Sequence, residues 1–126
     1  MNNQITSLGE ILVDWTCVDK TLDINYANEF IKVPGGAPAN VAVGLAKLEE
    51  SVQFIGGIAD DLFGDWLKEY ISSYGVCTEN VQKIPYTNTR CAYIFTDENG
   101  NRVFKGFSRN LCADSLIEFE KIDIKS

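Results

Sequence analysis

The stretch Pro34-Gly35-Gly36-Ala37-Pro38-Ala39-Asn40 runs straight into Val41-Ala42-Val43-Gly44-Leu45-Ala46-Lys47-Leu48. No other feature limits the fold as much. Two glycines let the backbone turn sharply or lie close to a ligand. The helical pattern that follows points its unpaired N–H groups back at the turn. Asn40 falls in the first helical turn, within reach of a small polyhydroxyl ligand. Downstream, Val52-Gln53-Phe54-Ile55 reads as a short buried strand closed by Gly56-Gly57. Asp60-Asp61 offers helix caps, and Leu62, Phe63, Trp66, Leu67, Tyr70 and Ile71 recur at helical spacing until Gly75. Ile5 to Asp14 reads as a strand ahead of all this, with Asp14 at its carboxyl end. The order strand, helix, strand, helix predicts a parallel sheet with crossover helices.

Beyond Gly75 the pattern changes. Thr89 to Thr96 and Arg102 to Phe107 read as two strands around Asp97-Glu98-Asn99-Gly100-Asn101, where Asn-Gly is a hairpin signal. Apolar residues on both faces of the first predict cover on both sides. Asp19 to Val33 is polar and irregular apart from an extended piece at Phe30-Ile31-Lys32-Val33. The tail from Ala113 reads as a short helical piece followed by weak strand character in Ile122-Asp123-Ile124. No linker breaks the 126 residues, so one domain over 1–126 is expected.

Composition removes several function classes. The net charge is −7 without a basic cluster, which argues against nucleic acid and anionic membranes as partners. No apolar run approaches the roughly 20 residues of a membrane span, and the N-terminus lacks a signal-peptide pattern. A cytoplasmic protein is the expectation. The four cysteines (17, 77, 91 and 112) form no Cys-x-x-Cys, and histidine is absent. Zinc sites and His-activated nucleophiles are therefore not expected, and the cysteines read as reduced and mostly buried.

The candidate chemistry is sparse. Gly35-Gly36 belongs to neither a Gly-x-Gly-x-x-Gly nor a Gly-x-x-x-x-Gly-Lys-Ser/Thr fingerprint; alone it is as readily a plain turn. Asp14 at a strand end suits vicinal hydroxyls, or simply a loop or cap. Asp60-Asp61 with Gly64 reads as a helix cap rather than a metal pair. Arg109 suits an anion, hydroxyls, or the solvated surface.

Taken in order, these pieces resemble the ribokinase-type (PfkB) carbohydrate kinases, and within them the fructokinases. Gly9-Glu10-Ile11-Leu12-Val13-Asp14 is similar to the first family strand, whose terminal Asp contacts sugar hydroxyls. Pro34 to Asn40 resembles the Gly-Gly sugar-binding turn with its Asn. Phe54-Ile55-Gly56 and Asp60-Asp61-x-Phe63-Gly64 resemble the second strand and helix entry. Phe107-x-Arg109-Asn110-x-x-Ala113-Asp114 is close to the fructokinase Phe-Tyr-Arg-Asn-Pro-x-Ala-Asp stretch. The chain departs from the pattern at Glu49 and Ala59, where glycine is usual, and at Ser108 and Leu111, where tyrosine and proline are usual. One extra residue in the second hairpin strand suggests a bulge.

The resemblance implies an α/β architecture: the N-terminal part of a ribokinase-like fold, a mostly parallel Rossmann-like sheet with a small β-sheet lid. Lid segments would span about 16–34 and 89–107, with Gly35-Gly36 as hinge. Substrate-binding residues would be Asp14, Gly35, Gly36, Asn40, Phe107 and Arg109. The substrate would be a sugar, fructose first, since Ala92 stands where ketodeoxygluconate kinases tend to carry tyrosine; 2-keto-3-deoxygluconate, ribose or a nucleoside are alternatives. The lid commonly makes a homodimer contact. The complete family enzyme uses ATP and Mg2+, with its catalytic aspartate and anion hole in a Gly-Ala-Gly-Asp motif. No Gly-x-Gly-Asp occurs here, so no catalytic residue, no metal ligand and no ATP binding by this chain alone are expected. The alternative is a non-catalytic sugar-binding or dimerising module, or a truncated remnant.

Overall fold

Gly9 decides the architecture. In the computed structural model, which describes residues 3–123, Gly9 takes φ +151°, where an added Cβ would sit 2.5 Å from Pro38 Cγ. The chain turns there, and the run expected as one strand becomes two strands in different sheets. Strand β1 (Ile5–Leu8) enters a three-stranded parallel sheet; β2 (Leu12–Lys20) enters a four-stranded mixed sheet. Asp14 therefore does not close a central strand. It is the third residue of β2, which continues six residues beyond it.

The first sheet has the order β1-β4-β5, with β4 (Val52–Ala59) in the middle and β5 (Val81–Ile84) at the edge. Ile5 pairs with Val52 and Gly56 with Val81, both parallel. Gly56-Gly57 lies inside β4 instead of ending it. A Cβ on Gly56 would meet Gly9 O at 2.8 Å, so neighbouring backbone needs the missing side chain. Helix α1 (Ala37–Lys47) crosses from the second sheet back to the first, and α2 (Leu62–Ser73) leads from β4 toward β5. The expected parallel sheet with crossover helices is present. Its core joins Val13, Ala42, Phe54, Leu67 and Ile71, all at most 1% exposed. Burying side chains the size of Val13, Phe54, Leu67 and Ile71 stabilises by about 1.5–3 kcal/mol each.

Asp61 caps α2: its Oδ1 accepts the Gly64 N–H at 2.7 Å, and Thr89 Oγ1 donates to the same oxygen at 2.8 Å. The cap reading of this acidic pair is thus realised at Asp61, whereas Asp60 lies 3.9 Å from the Lys83 ammonium. Helix α1 ends in a reciprocal backbone lock. Glu49 N–H reaches Ala46 O and Glu50 N–H reaches Leu45 O, with Glu49 at φ +65°. That is the left-handed position where glycine is favoured.

The second sheet has the order β3-β2-β6-β7, with β3 (Phe30–Gly35), β6 (Cys91–Thr96) and β7 (Arg102–Phe107). β2 runs antiparallel to β3 and parallel to β6. The β6–β7 hairpin turns through Asp97 to Asn101. Asp97 Oδ1 accepts the N–H groups of Asn99 and Asn101 at 2.9 and 2.8 Å, and Gly100 takes φ +83°. The bulge is real: Tyr93 pairs with Gly106 and Ile94 with Phe104, leaving Lys105 as the extra residue. Cover of β6 on both sides is incomplete, because Tyr93 is exposed while Ala92 and Phe95 are buried.

The tail carries two 3-10 turns, Ala113–Ser115 and Phe119–Lys121. Ile122 and Asp123 are not in a strand, and Ile124 lies outside the described residues. Cys17 and Cys112 are buried, Cys77 and Cys91 half-buried, and all four are free thiols.

Candidate functional site

The sheet register lines up the site. Val33 of β3, Asp14 of β2, Ala92 of β6 and Phe107 of β7 form one cross-strand row. Side chains in such a row share a face. Ala92 is the small member between Asp14 and Phe107. Leu12 lies two residues from Asp14 on the same face and pairs with Gly35.

The glycine turn is built against this row. A Cβ on Gly35 would lie 2.6 Å from Asp14 Oδ2 and 2.9 Å from Oδ1, so only glycine lets the carboxylate lie there. Gly36 has φ +99°, and a Cβ on it would sit 2.5 Å from Glu10 O. Gly36 is the N-cap of α1, and its carbonyl accepts the Asn40 N–H at 2.9 Å. The Asn40 side chain is exposed and free of hydrogen bonds among the described residues. Burial pushes the Asp14 carboxyl above its ordinary range, opposed by the charge of Arg102.

The turn does not suit a phosphate. Its two glycines face a carboxylate and a backbone carbonyl, both negative at the surface presented. The same oxygens accept hydrogen bonds from hydroxyls. Among the described residues no three acidic, cysteine or histidine groups converge.

Phe107 lines a cavity of about 360 Å³ together with Glu10, Leu12 and Arg90. Its ring meets Phe104 edge-on at 4.9 Å. Arg109, two residues on, is exposed and makes no ion pair among the described residues. The structure thus gathers Asp14, Gly35 and Gly36, and aligns Phe107 with them. It shows no contact between Arg109 and the rest of the set.

Sequence reasoning missed Arg90. Its Nε donates to Asp114 Oδ2 at 2.7 Å and its Nη2 to Asp114 Oδ1 at 2.9 Å. Hydrogen bonding to Asp114 raises the already high pKa of the guanidinium further, with a smaller contribution from the charge of Glu10. Only Asp114 was signalled, as the last residue of the fructokinase-like stretch.

Residues 2–122 match the family described as pfkB family carbohydrate kinase. The chain belongs to the pfkB family of carbohydrate kinases. Within this pfkB family it is 37% identical, over 94% of its length, to probable fructokinase-6, chloroplastic, of Arabidopsis thaliana, covering 31% of that protein. It is 36% identical over 98% of its length to fructokinase-2 of Zea mays, covering 36% of it. The chain thus spans about a third of the length of the curated pfkB relatives it matches. Among solved structures, the fructokinase of Xylella fastidiosa superposes with a TM-score of 0.81 at 34% identity, over 95% of this chain and 36% of that one. The pfkB architecture is therefore the ribokinase-like one expected from the sequence. Among the described residues no helix is long and apolar enough to cross a membrane.

Proposed function

We propose that this chain is the sugar-orienting and lid portion of an ATP-dependent sugar kinase, with a neutral ketohexose such as fructose as substrate. The observation that carries the reading is the seating of the Asp14 carboxylate against the Cα of Gly35, 2.6 Å from where a Cβ would be. A carboxylate held beside bare backbone accepts hydrogen bonds from two adjacent hydroxyls. The Asn40 amide, at the start of α1, both donates and accepts. Phe107 offers an apolar wall to the C–H face of a sugar, and Arg109 a further donor. The four-stranded sheet acts as the lid, excluding water from the transferring phosphoryl group. In this reading the glycine pair does less as a hinge than as a packing point, since a Cβ on either would collide with a neighbouring oxygen.

ATP supplies the phosphoryl group, with Mg2+ neutralising its charge. The residues named above act on the sugar in this reading. Their task is orientation, which is a large share of what such enzymes contribute. Pairing with a second copy through the lid is part of the proposal. The sheet face opposite Asp14 carries an apolar cavity of about 480 Å³ lined by Trp15, Ile24, Phe30, Tyr93 and Phe95, which supports this.

A coupled fructose phosphorylation assay tests the reading. The 126-residue polypeptide assayed alone should show no turnover, having no Gly-x-Gly-Asp base. Fused to the remaining two-thirds of the Xylella fructokinase it should turn over. In that fusion Asp14→Asn should lower kcat/KM about 10- to 100-fold, the effect of losing hydrogen bonds to a charged group. Turnover by the short polypeptide, or a fusion indifferent to Asp14→Asn, would overturn the proposal.

A further inference from the structure

Arg90 leads into β6, one residue after Thr89, whose hydroxyl binds Asp61. Its guanidinium is clamped on one side only. Nε and Nη2 are spent on Asp114, whose side chain is 5% exposed, and Nη2 also reaches Ser115 Oγ at 3.1 Å. A bidentate pair of this kind fixes the plane of the guanidinium. Nη1 has no partner among the described residues, which leaves two donors available. The guanidinium carbon lies 5.8 Å from the centre of the Phe107 ring. Arg90, Asp114, Phe107 and Glu10 line one cavity of about 360 Å³. That cavity opens on the face carrying the Asp14 row, since Leu12 also lines it and shares the face of Asp14.

We infer that Arg90, held in plane by Asp114, is a specificity-determining residue that contacts substrate hydroxyls through Nη1 and, with Glu10, selects a neutral sugar over a sugar acid. The inference rests on the proposed sugar-kinase reading of the site. The charge balance carries the selectivity. Arg90 is neutralised by Asp114, and Glu10 adds a negative charge without a salt-bridge partner among the described residues. Among the residues that line this cavity a carboxylate meets a net negative charge and no cation but the paired Arg90; Arg109, unpaired among the described residues, does not line it. Hydroxyls meet two donors at Nη1 and an acceptor at Glu10. The wall supplied by Phe107 and Leu12 covers the apolar side of the ligand.

Titration of the 15N-labelled 126-residue chain with D-fructose, and separately with 2-keto-3-deoxygluconate, tests this by NMR. Fructose should shift the Arg90 side-chain Nε–H resonance along with the amides of Gly35, Gly36 and Asn40. The sugar acid should bind at least tenfold more weakly. Glu10→Gln should narrow that gap while leaving the Arg90–Asp114 resonances in place. The double variant Arg90→Gln/Asp114→Asn avoids stranding a buried carboxylate; it should weaken fructose binding and leave the dispersion of the amide spectrum intact. Shifts at Gly35, Gly36 and Asn40 with none at Arg90 would overturn this inference and leave the sugar site standing. Equal affinity for both ligands would overturn the selectivity. No shift at any of these positions would overturn the sugar site and this inference with it.

Discussion

Replacing Glu49 with glycine should stabilise the protein, and the size of the gain follows from the backbone. Glu49 holds φ +65° at the end of α1, in a lock closed by two backbone hydrogen bonds to Ala46 O and Leu45 O. An L-residue pays roughly 1–2 kcal/mol for its Cβ in this conformation. Glycine avoids that cost and gives back about 0.5–1 kcal/mol through the greater freedom of its unfolded chain. The net gain should be about 0.5–1 kcal/mol. Removing the charge adds a few tenths, because an acidic group at a helix C-terminus opposes the helix dipole. Glu49→Ala separates the two contributions: it removes the charge and keeps the Cβ. Urea denaturation followed by far-UV circular dichroism, run on all three forms, gives the differences directly. For a chain of this size the glycine variant should also melt about 2–4 °C higher. If glycine stabilises no more than alanine, the strain argument at Glu49 is wrong.

Other substitutions probe the site and its supports. Gly36→Ala forces a Cβ to within 2.5 Å of Glu10 O at φ +99°; it should destabilise by more than about 3 kcal/mol, visible as loss of the cooperative melt. Thr16 Oγ1 is buried without a hydrogen-bond partner, so Thr16→Val should be neutral or stabilise by up to about 1–2 kcal/mol, measured by the same denaturation; a clear loss would mean the hydroxyl has a partner. Asp14→Asn should raise the melting temperature at neutral pH and weaken fructose binding, because burial disfavours the Asp14 carboxylate. The sign follows from its raised pKa: the unfavourable contribution is present at neutral pH and disappears as pH falls through the folded pKa. Asp19 behaves oppositely. The N–H groups of Glu29 and Asn28 hold its carboxyl below its ordinary range. Its contribution is therefore present above the ordinary carboxylate range and lost as pH falls through the depressed folded value. Acid titration of Asp19→Asn should lack that loss.

Much of the fold is written in local pattern. The helix beginning after Gly36, the Asp61–Gly64 cap and the Asn99-Gly100 turn rest on interactions within a few residues. Local chemistry specifies such features because the partners are close in the chain. The four-residue strand β5 escaped notice because Val81 to Ile84 is too short to show a period and is held by partners far along the chain, its pairing with β4 and the Gln82 bonds to Glu118.

The break at Gly9 shows the limit of the same reasoning. Ile5 to Asp14 has continuous strand character, and nothing local says which residue changes sheet. That choice depends on Pro38, more than twenty positions away, packing where a Cβ on Gly9 would go. It moves Asp14 from the end of one sheet into the body of another and brings its carboxylate to Gly35. The alternation of strands and helices, the glycine turn and the family resemblance are legible in the residues alone. The row shared by Asp14, Ala92 and Phe107 and the clamp of Asp114 on Arg90 emerge once the chain is folded. Register and ion pairing join residues far apart in the chain, and the free energy that selects them comes from packing, which no local window contains.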